Sequence, residues 1–238
     1  MSAAYLKHES SYPALFALCR SRAGHRECIA TIISERYAST AAHCTDNARM
    51  TAAASPEGAG YAVDISGVSN RVFEVIRYPA TAIDSAPDFA LRRLAEPVRH
   101  LAPIPLHRNS QEAGRIVLIP GWGEFGNGET GLAAPDGRFR LAENSVDAAG
   151  DGRLLWVFDA PTSGKALPSE GLSGPGDSGG PALIQTSTSL EIAGVSSAQR
   201  TGDGPEGVYG LTEVFVRVSD YAAWLLEQIG DVDHSPIG

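Results

Sequence analysis

Short apolar runs separated by glycine, proline, asparagine and aspartate recur along the chain, and this punctuation restricts the folds that it can adopt. Such runs are typical of all-β sandwiches and barrels. Only residues 219–229 have the apolar spacing of one helical face, with Ser219 as a candidate N-cap, Asp220 in the first turn and Gly230 at the end. The pattern therefore predicts an all-β fold that ends in an α-helix. The candidate strands are 14–19, 28–34, 71–78, 89–94, 115–119, 154–159, 181–185, 190–196 and 213–218.

The composition argues against several classes of protein. With 238 residues, of which 43% are hydrophobic, the chain can bury a substantial core as one large domain or two small ones. Its net charge of −9 argues against a nucleic-acid partner. No run of about 18 apolar residues is present, so no membrane span is expected. We further predict a monomer that needs neither a cofactor nor a metal ion.

The segment 174–181 reads G-P-G-D-S-G-G-P, in which glycines allow a sharp turn and the close approach of another molecule. Ser178 is therefore a candidate nucleophile, and the amides of Gly176 and Ser178 can bind one oxyanion. A serine hydroxyl needs a base, and the base needs an orienting acid. His43 in T-A-A-H-C and Asp88 in D-F-A-L are candidates for these two roles. Each residue alone also has a structural interpretation, as a turn serine, a packed histidine or a strand-edge aspartate.

The order of these residues along the chain separates the alternatives. Histidine, aspartate and serine follow one another as in chymotrypsin-like enzymes, whereas subtilisins and α/β-hydrolases use other orders. The serine segment also fits the G-x-S-x-G turn of α/β-hydrolases, but only His234 follows Ser178, and the strand–helix alternation of a parallel sheet is missing. Taken together, the three segments resemble the chymotrypsin/trypsin family of serine endopeptidases.

The resemblance covers nearly the whole chain, from Tyr12 to Trp224. It includes the tripeptide Gly-Trp-Gly at 121–123 and the closing strand and helix at 214–224. It implies two six-stranded antiparallel β-barrels and a C-terminal α-helix.

The implied division of the chain gives each barrel part of the site. Residues 1–105 would form the first barrel with His43 and Asp88. Residues 106–238 would form the second barrel with Ser178, together with the helix at 219–229. The reacting groups would then meet in the cleft between the barrels, where ligand sites are common.

The activity that the resemblance implies is cleavage of peptide bonds through an acyl-enzyme. Ser178 would be the nucleophile, His43 the general base and then acid, and Asp88 the group that orients the imidazole. Gly176 and Ser178 would form the oxyanion hole. The partner would be a protein or peptide substrate, with a protein inhibitor or a pro-segment as a further partner. The alternative is a protease-like binding protein that has lost activity.

Cleavage specificity is expected to depend on a pocket lined by residues near the serine. The resemblance places Leu172 at its floor, where trypsins carry aspartate, and this favours cleavage after apolar residues. Glu213 lies near the back wall; we expect it to point outward, whereas an inward carboxylate would select Lys or Arg instead. The pocket wall is expected from residues 196–199, in a register that the sequence does not fix. The predicted substrate-binding residues are Leu172, Ser173, Ser196, Ser197, Ala198 and Glu213.

The cysteines bear on the fold and on the compartment. The resemblance implies a disulfide between Cys28 and Cys44, which leaves Cys19 as a buried thiol or one that pairs with another chain. Other bridges common in animal relatives are missing, as in a bacterial branch of the family. The chain begins Met-Ser-Ala-Ala with no signal peptide, yet the family is mostly exported. We expect a secreted or periplasmic protein, with a cytoplasmic one as the alternative.

Asp177, just before the serine, departs from the family in its expected partner. In zymogen-activated relatives this aspartate pairs with the amine of an Ile-Val-Gly-Gly N-terminus, which the present chain lacks. The amine of Met1 or another cation are two candidate partners. A third possibility is that Asp177 only caps the loop through backbone amides.

Overall fold

The structure, a computed structural model, describes residues 3–20, 24–46, 54, 58–79, 87–133, 135–200 and 204–230. These residues form two large antiparallel sheets, a two-stranded ribbon and one α-helix. The predicted all-β class, with two barrel-like sheets and a C-terminal helix, is confirmed. In this part of the chain, no helix has the length and apolar character needed to cross a membrane.

The first sheet contains six strands, as predicted, in the spatial order β1-β2-β3-β6-β5-β4. Its outer strands β1 and β4 contact each other, so the sheet curls into a nearly closed barrel. The strands are β1 (Leu15–Arg20), β2 (Arg26–Ile32), β3 (Tyr37–Thr40), β4 (Tyr61–Ile65), β5 (Val68–Arg77) and β6 (Ala90–Leu94).

The second sheet has seven strands, one more than the six predicted, in the order β10-β7-β13-β14-β15-β12-β11. The additional strand β11 pairs with β12 in a hairpin whose turn is Asp151-Gly152. Both turn residues have positive φ, 49° and 72°, as a tight two-residue hairpin turn requires. The strands are β7 (Ile116–Gly121), β10 (Arg140–Ser145), β11 (Ala148–Gly150), β12 (Arg153–Val157), β13 (Pro181–Gln185), β14 (Leu190–Arg200) and β15 (Thr212–Arg217), and the ribbon is β8 (Phe125–Asn127) with β9 (Gly131–Ala133).

One apolar core joins the two sheets. Its largest cluster includes Ile32 and Leu91 from the first sheet and Val195 from the second, all excluded from solvent. Leu225 of the C-terminal helix belongs to the same cluster. Burial of this apolar surface holds the two sheets against each other, and the residues at their junction are thereby fixed in position.

Each end of the chain packs on the sheet formed by the other half. Near the N-terminus, Leu6 forms an isolated bridge with Arg140 of β10 in the second sheet. In the C-terminal helix, Trp224 stacks edge-on against Tyr78 and Phe89, which flank β5 and β6 of the first sheet. The N-terminal segment and the C-terminal helix therefore both help to hold the two sheets together. The division of the chain at 105 and 106 stays a prediction.

The C-terminal helix, α1, spans Val218–Gly230. Asp220 lies in its first turn as predicted, but Ser219 is inside the helix and not at its N-cap. The Ser219 hydroxyl donates instead to Oε1 of Glu112 at 2.7 Å. Glu112 is fully buried and also receives two hydrogen bonds from Arg217. The local sequence pattern assigned the Ser219 hydroxyl to helix capping. In the structure it is bound instead in a buried network with residues that are distant in the sequence.

Candidate active site

His43 follows shortly after β3, at the start of the short 3-10 helix His43–Thr45. The next residue, Cys44, forms a disulfide with Cys28 of β2, as the sequence resemblance implied. The bridge ties the loop that carries the histidine to its neighbouring strand. Sulfur and imidazole atoms of Cys28, His43 and Cys44 cluster together, but two of these groups are joined in the disulfide and are not free thiolates for a metal.

Asp88 holds His43 at two points. Its Oδ1 accepts a hydrogen bond from the His43 backbone N–H at 2.8 Å, and its Oδ2 lies 2.7 Å from the imidazole Nδ1. Burial raises the pKa of Asp88, but the hydrogen bonds from His43 and Ser197 outweigh burial and hold the pKa below its ordinary value. An ionised carboxylate accepts only, so Nδ1 is the protonated ring nitrogen and Nε2 is left with its lone pair.

The pKa of His43 is raised from 6.5. The hydrogen bond to Asp88 is the main cause; burial opposes it, and the charges of Asp88 and Asp46 reinforce it. The imidazolium form is therefore stabilised, while the histidine is still exposed to solvent.

Ser197 contributes a third contact to this group. Its hydroxyl donates to Asp88 Oδ2 at 2.8 Å. A residue of the second sheet therefore binds the aspartate that lies just before β6 of the first sheet. The pairing of β14 with β15 shifts register between Ser196 and Ala198, and Ser197 is the extra residue. Such a bulge turns a side chain away from the direction that alternation would give it. Ser197 was predicted to line the substrate pocket, which stays a prediction; its hydroxyl is bound to Asp88.

Ser178 lies against the same loop as His43. Its carbonyl oxygen accepts a hydrogen bond from the Ile29 N–H at 2.7 Å and lies 3.6 Å from Cys44 Sγ. The following residue, Gly179, has φ +78°, and a Cβ there would collide with Thr40 Oγ1 and the Ile29 carbonyl. The glycine after the serine is thus required because the backbone packs directly on the first sheet. The structure brings the predicted serine and histidine segments together.

The backbone around Ser178 leaves two amides unused. The N–H groups of Asp177, Gly179 and Gly180 each donate to a backbone carbonyl. Among the described residues, no acceptor is bonded to the N–H of Gly176 or of Ser178. Gly176 has φ +100°, a conformation that favours glycine. Two neighbouring free donors suit an oxyanion ligand.

Asp177 is buried and held by backbone amides, the third of the possibilities that its sequence position left open. Its Oδ1 accepts from Trp122 N–H at 2.8 Å and Gly123 N–H at 2.7 Å, and its Oδ2 accepts from Gly174 N–H at 3.1 Å. Burial raises the pKa of Asp177 to about 6, against the effect of these bonds. Among the described residues it forms no ion pair, and Met1 lies outside them.

The contact with Asp177 explains the two glycines of the Gly-Trp-Gly segment. A Cβ on Gly121 or Gly123 would collide with the Asp177 carboxylate. The two glycines therefore allow the strand end to approach the carboxylate closely enough for the amide hydrogen bonds to form. The loop that carries Ser178 is anchored to β7 by this arrangement.

Glu213 faces inward, so the expectation that it points to solvent is wrong. It is 0% exposed and receives hydrogen bonds from the Ser173 hydroxyl at 2.6 Å, the Ser173 N–H at 3.2 Å and Gln199 Nε2 at 3.3 Å. The physical reason is the donor set that Ser173 and Gln199 offer, which satisfies a buried carboxyl group. Burial raises the pKa of Glu213 to about 8, so the group is mostly protonated at neutral pH.

The remaining pocket residues divide between two environments. Ser196 is buried with its Oγ 3.2 Å from Ser173 Oγ, and Ala198 is exposed. Leu172, expected at the pocket floor, lines a cavity of about 570 Å³ beside Asp177, which Ser173 also borders. The polar cluster thus consists of Ser173, Ser196, Gln199 and Glu213.

Gln199 ends the stretch 196–199 that was expected to form the pocket wall, but its own role was not predicted. Its Nε2 donates to the Ser173 carbonyl at 2.7 Å, so its side chain spans from β14 to the serine segment. Gln199 lies two positions after Ser197, beyond the bulge. The regular alternation of a strand therefore does not predict the direction of its side chain.

Comparison with known proteins agrees with this geometry. The family model described as Trypsin matches residues 6–225. A serine protease SP24D of Anopheles gambiae is 29% identical over 227 residues, which cover 91% of this chain and 76% of that protein. A snake venom serine protease homolog of Bothrops jararacussu is 28% identical over 224 residues, with 89% and 80% covered. The snake venom serine protease gussurobin of Gloydius ussuriensis is 28% identical over 231 residues, with 92% and 84% covered.

These relatives come from an insect and from snakes. They give no support to the bacterial branch that the missing disulfides suggested, and that assignment stays a prediction.

Proposed function

The chain belongs to the trypsin family, and on this premise we propose that it is an active serine endopeptidase that cleaves peptide bonds through an acyl-enzyme intermediate. The observation that carries the proposal is the double hydrogen bond from His43 to Asp88, beside the loop on which Ser178 is docked. A scaffold that only bound proteins would need neither this pair nor free amides around a serine.

In the proposed reaction, Nε2 of His43 takes the proton of Ser178 Oγ as Oγ attacks the substrate carbonyl carbon. The C=O bond opens and its electron pair collapses onto oxygen. When the carbonyl re-forms, the C–N bond breaks and the imidazolium of His43 gives its proton to the leaving amine. Water then attacks the ester by the same route, which releases the carboxylic acid and returns the proton to Ser178. Asp88 stabilises the imidazolium at each transfer and stays ionised.

The oxyanion of each tetrahedral intermediate is proposed to bind the N–H groups of Gly176 and Ser178. Among the described residues neither donor has an acceptor, and the turns on either side fix both of them. Because they are already oriented, no reorganisation is needed when charge develops on the oxygen. Asp177 has a supporting part: its bonds to Trp122, Gly123 and Gly174 hold the loop in the conformation that presents the two donors.

For specificity, we propose a preference for an apolar residue immediately before the scissile bond. The cluster of Ser173, Gln199 and Glu213 is bonded internally, and Glu213 is mostly uncharged at neutral pH. A buried cation would therefore meet no full negative charge there, which is costly. The alternative is a preference for Lys or Arg, and the inward orientation of Glu213 is the observation that favours it.

A peptide library cleaved at pH 7 and pH 9 separates the two specificities. An apolar preference should persist in Glu213→Gln and in the exposed control Glu129→Gln. If Lys or Arg dominates in the wild type, gains at pH 9 and falls away only in Glu213→Gln, then Glu213 sets a basic specificity.

The activity itself is tested by turnover of the same library with the wild type and with Ser178→Ala. Cleavage by the wild type and none by the folded variant would support the proposal. The competing function is a protease-like binding protein without activity, and one relative is named as a protease homolog. Absence of cleavage by the wild type across the library would favour that function.

The setting proposed for the enzyme follows from its chemistry. The Cys28–Cys44 disulfide persists in an oxidising compartment, which suits a secreted or periplasmic protein. The substrates would be proteins or peptides, and a protein inhibitor or a pro-segment would occupy the same cleft.

A further inference from the structure

Arg92 is a buried cation inside the first sheet that the proposed reaction does not use. It lies on β6, between β3 and β5, and is 0% exposed. Its single hydrogen bond to another described residue runs from Nη2 to the Cys44 carbonyl at 2.9 Å. Within the described part of the chain, its Nε and Nη1 have no hydrogen-bond partner. An arginine is always protonated in proteins, so these atoms present buried N–H donors.

No negative charge compensates this cation among the described residues. None of their carboxylates forms an ion pair with Arg92. A second cation, Arg77, is bound to Asp46 and raises the positive potential at Arg92 further. Burial lowers the pKa of Arg92; Tyr61 and Cys19 oppose this effect, and the Arg77 charge adds to it. An unpaired buried charge is strongly destabilising, whereas a paired one is tolerated.

Tyr61 provides a second donor next to the guanidinium. The Arg92 Cζ lies 5.8 Å from the centroid of the Tyr61 ring. The Tyr61 hydroxyl is buried, and it too has no hydrogen-bond partner in the described residues. Burial raises the pKa of Tyr61 to about 12, so the hydroxyl keeps its proton and can donate it. The site therefore combines one full positive charge with donors from two different strands, β4 and β6.

We propose that Arg92 and Tyr61 bind a small monovalent inorganic anion of the size of chloride inside the first barrel. A halide accepts hydrogen bonds from any direction, and it requires no hydrogen-bond acceptor from the protein. Enclosure of Arg92 excludes larger oxyanions and peptide carboxylates, which need an open approach. The anion would neutralise the guanidinium and complete the hydrogen bonds of Nε and Nη1.

The site is one hydrogen bond away from the catalytic loop. Arg92 Nη2 holds the carbonyl of Cys44, the residue that follows His43 and carries the disulfide. An anion that fixes the guanidinium would also fix this contact. The binding itself does not depend on the proposed peptidase function, so it is measured on the folded protein without a substrate.

Bromide is the direct probe, because it replaces chloride and scatters anomalously. Crystals of the full chain soaked in sodium bromide should show an anomalous peak within hydrogen-bond distance of Arg92 Nε or Nη1. In Arg92→Met, a variant of similar volume that removes the charge, the peak should vanish, while it should persist in the control Arg93→Met. A site filled by water alone, without an anomalous peak in the wild type, would overturn the proposal.

Thermal unfolding supplies a second measurement that does not depend on crystals. At constant ionic strength, replacement of sodium gluconate by sodium chloride at about ten times the dissociation constant should raise the wild-type Tm by about 3 to 6 °C. The increment should be lost in Arg92→Met, reduced in Tyr61→Phe and unchanged in Arg93→Met, whose arginine is half-exposed and paired with Glu74. Equal increments in all four proteins would show a general salt effect and contradict a specific site.

Discussion

The Ser197 hydroxyl and the His43 imidazole bind the same oxygen of Asp88, at 2.8 Å and 2.7 Å. One carboxylate oxygen therefore joins a bulge of the second sheet to the histidine loop of the first. The geometry of the histidine depends on both sheets, so any change that separates them should reach the reacting groups.

Ser197→Ala should lower kcat/KM by about ten- to a hundredfold, because it removes one hydrogen bond to a charged acceptor that orients His43. The KM should change little, and the midpoint of the acidic limb of the pH–rate profile should move, since the pKa of Asp88 is held down in part by this bond. The exposed residue Ser187 provides the matched control, and Ser187→Ala should behave as the wild type. Wild-type kinetics in Ser197→Ala would show that the contact is only structural.

The rate of peptide cleavage should rise with pH through a midpoint above 6.5. The general base must be neutral, and the hydrogen bond to Asp88 raises the pKa of His43 from that value. By linkage, the raised pKa gives the folded state additional stability at low pH, which is lost as pH increases through the folded-state pKa. In Asp88→Asn the midpoint should fall and kcat should drop by about 10⁴-fold. A rate that does not change between pH 5 and 8 would contradict the role of His43.

Glu213 should make the protein less stable as pH rises from about 6 to 8. Its folded-state pKa of about 8 is above its ordinary value of 4.5, so the folded state binds more protons in this window and stability decreases with pH. Asp177 should also lower the stability as pH rises, in the lower range between pH 3.8 and about 6. The measurement is urea unfolding as a function of pH. Glu213→Gln should flatten the decline above pH 6, and an unchanged slope would mean that the carboxyl group is ionised in the folded protein.

Gly179→Ala should destabilise the protein and abolish activity. The residue has φ +78°, and an added Cβ would collide with Thr40 Oγ1 and the Ile29 carbonyl, which are hydrogen-bonded to each other on the first sheet. Gly164 has a similar φ of +75° but open space around its Cβ position. Gly164→Ala should therefore show the conformational cost alone, about 1 kcal/mol, with activity retained. Equal losses in the two variants would show that the close packing at Gly179 is unimportant.

Local chemistry made much of the site predictable from the sequence. Three features of the site could be recognised from the residues next to them. They are the glycines around Ser178, the cysteine after His43 and the aspartate at the start of an apolar strand. The terminal helix followed from the same kind of short pattern, whereas the disulfide was implied only by the resemblance to the family. Strand β3, which leads into His43, was missed because four residues with three hydroxyl side chains lack a clear alternation.

Side-chain direction could not be predicted where it depends on strand register or on distant partners. The bulge at Ser197 aims its hydroxyl at Asp88 and not at the pocket. Glu213 is turned inward by the hydroxyl of Ser173, which is far away in the sequence. Arg92, in an Arg-Arg pair, carries no sign in the sequence that one arginine is enclosed and the other half-exposed.

The most direct test of the proposed activity is labelling with a fluorophosphonate, which reacts only with a serine activated by a base and an oxyanion site. We expect a stoichiometric adduct on the wild type at pH 8, located by peptide mass spectrometry on Ser178. The adduct should be missing in Ser178→Ala and strongly slowed in His43→Ala, both checked for native folding. Folded wild-type protein that stays unlabelled at Ser178 would contradict an active serine endopeptidase.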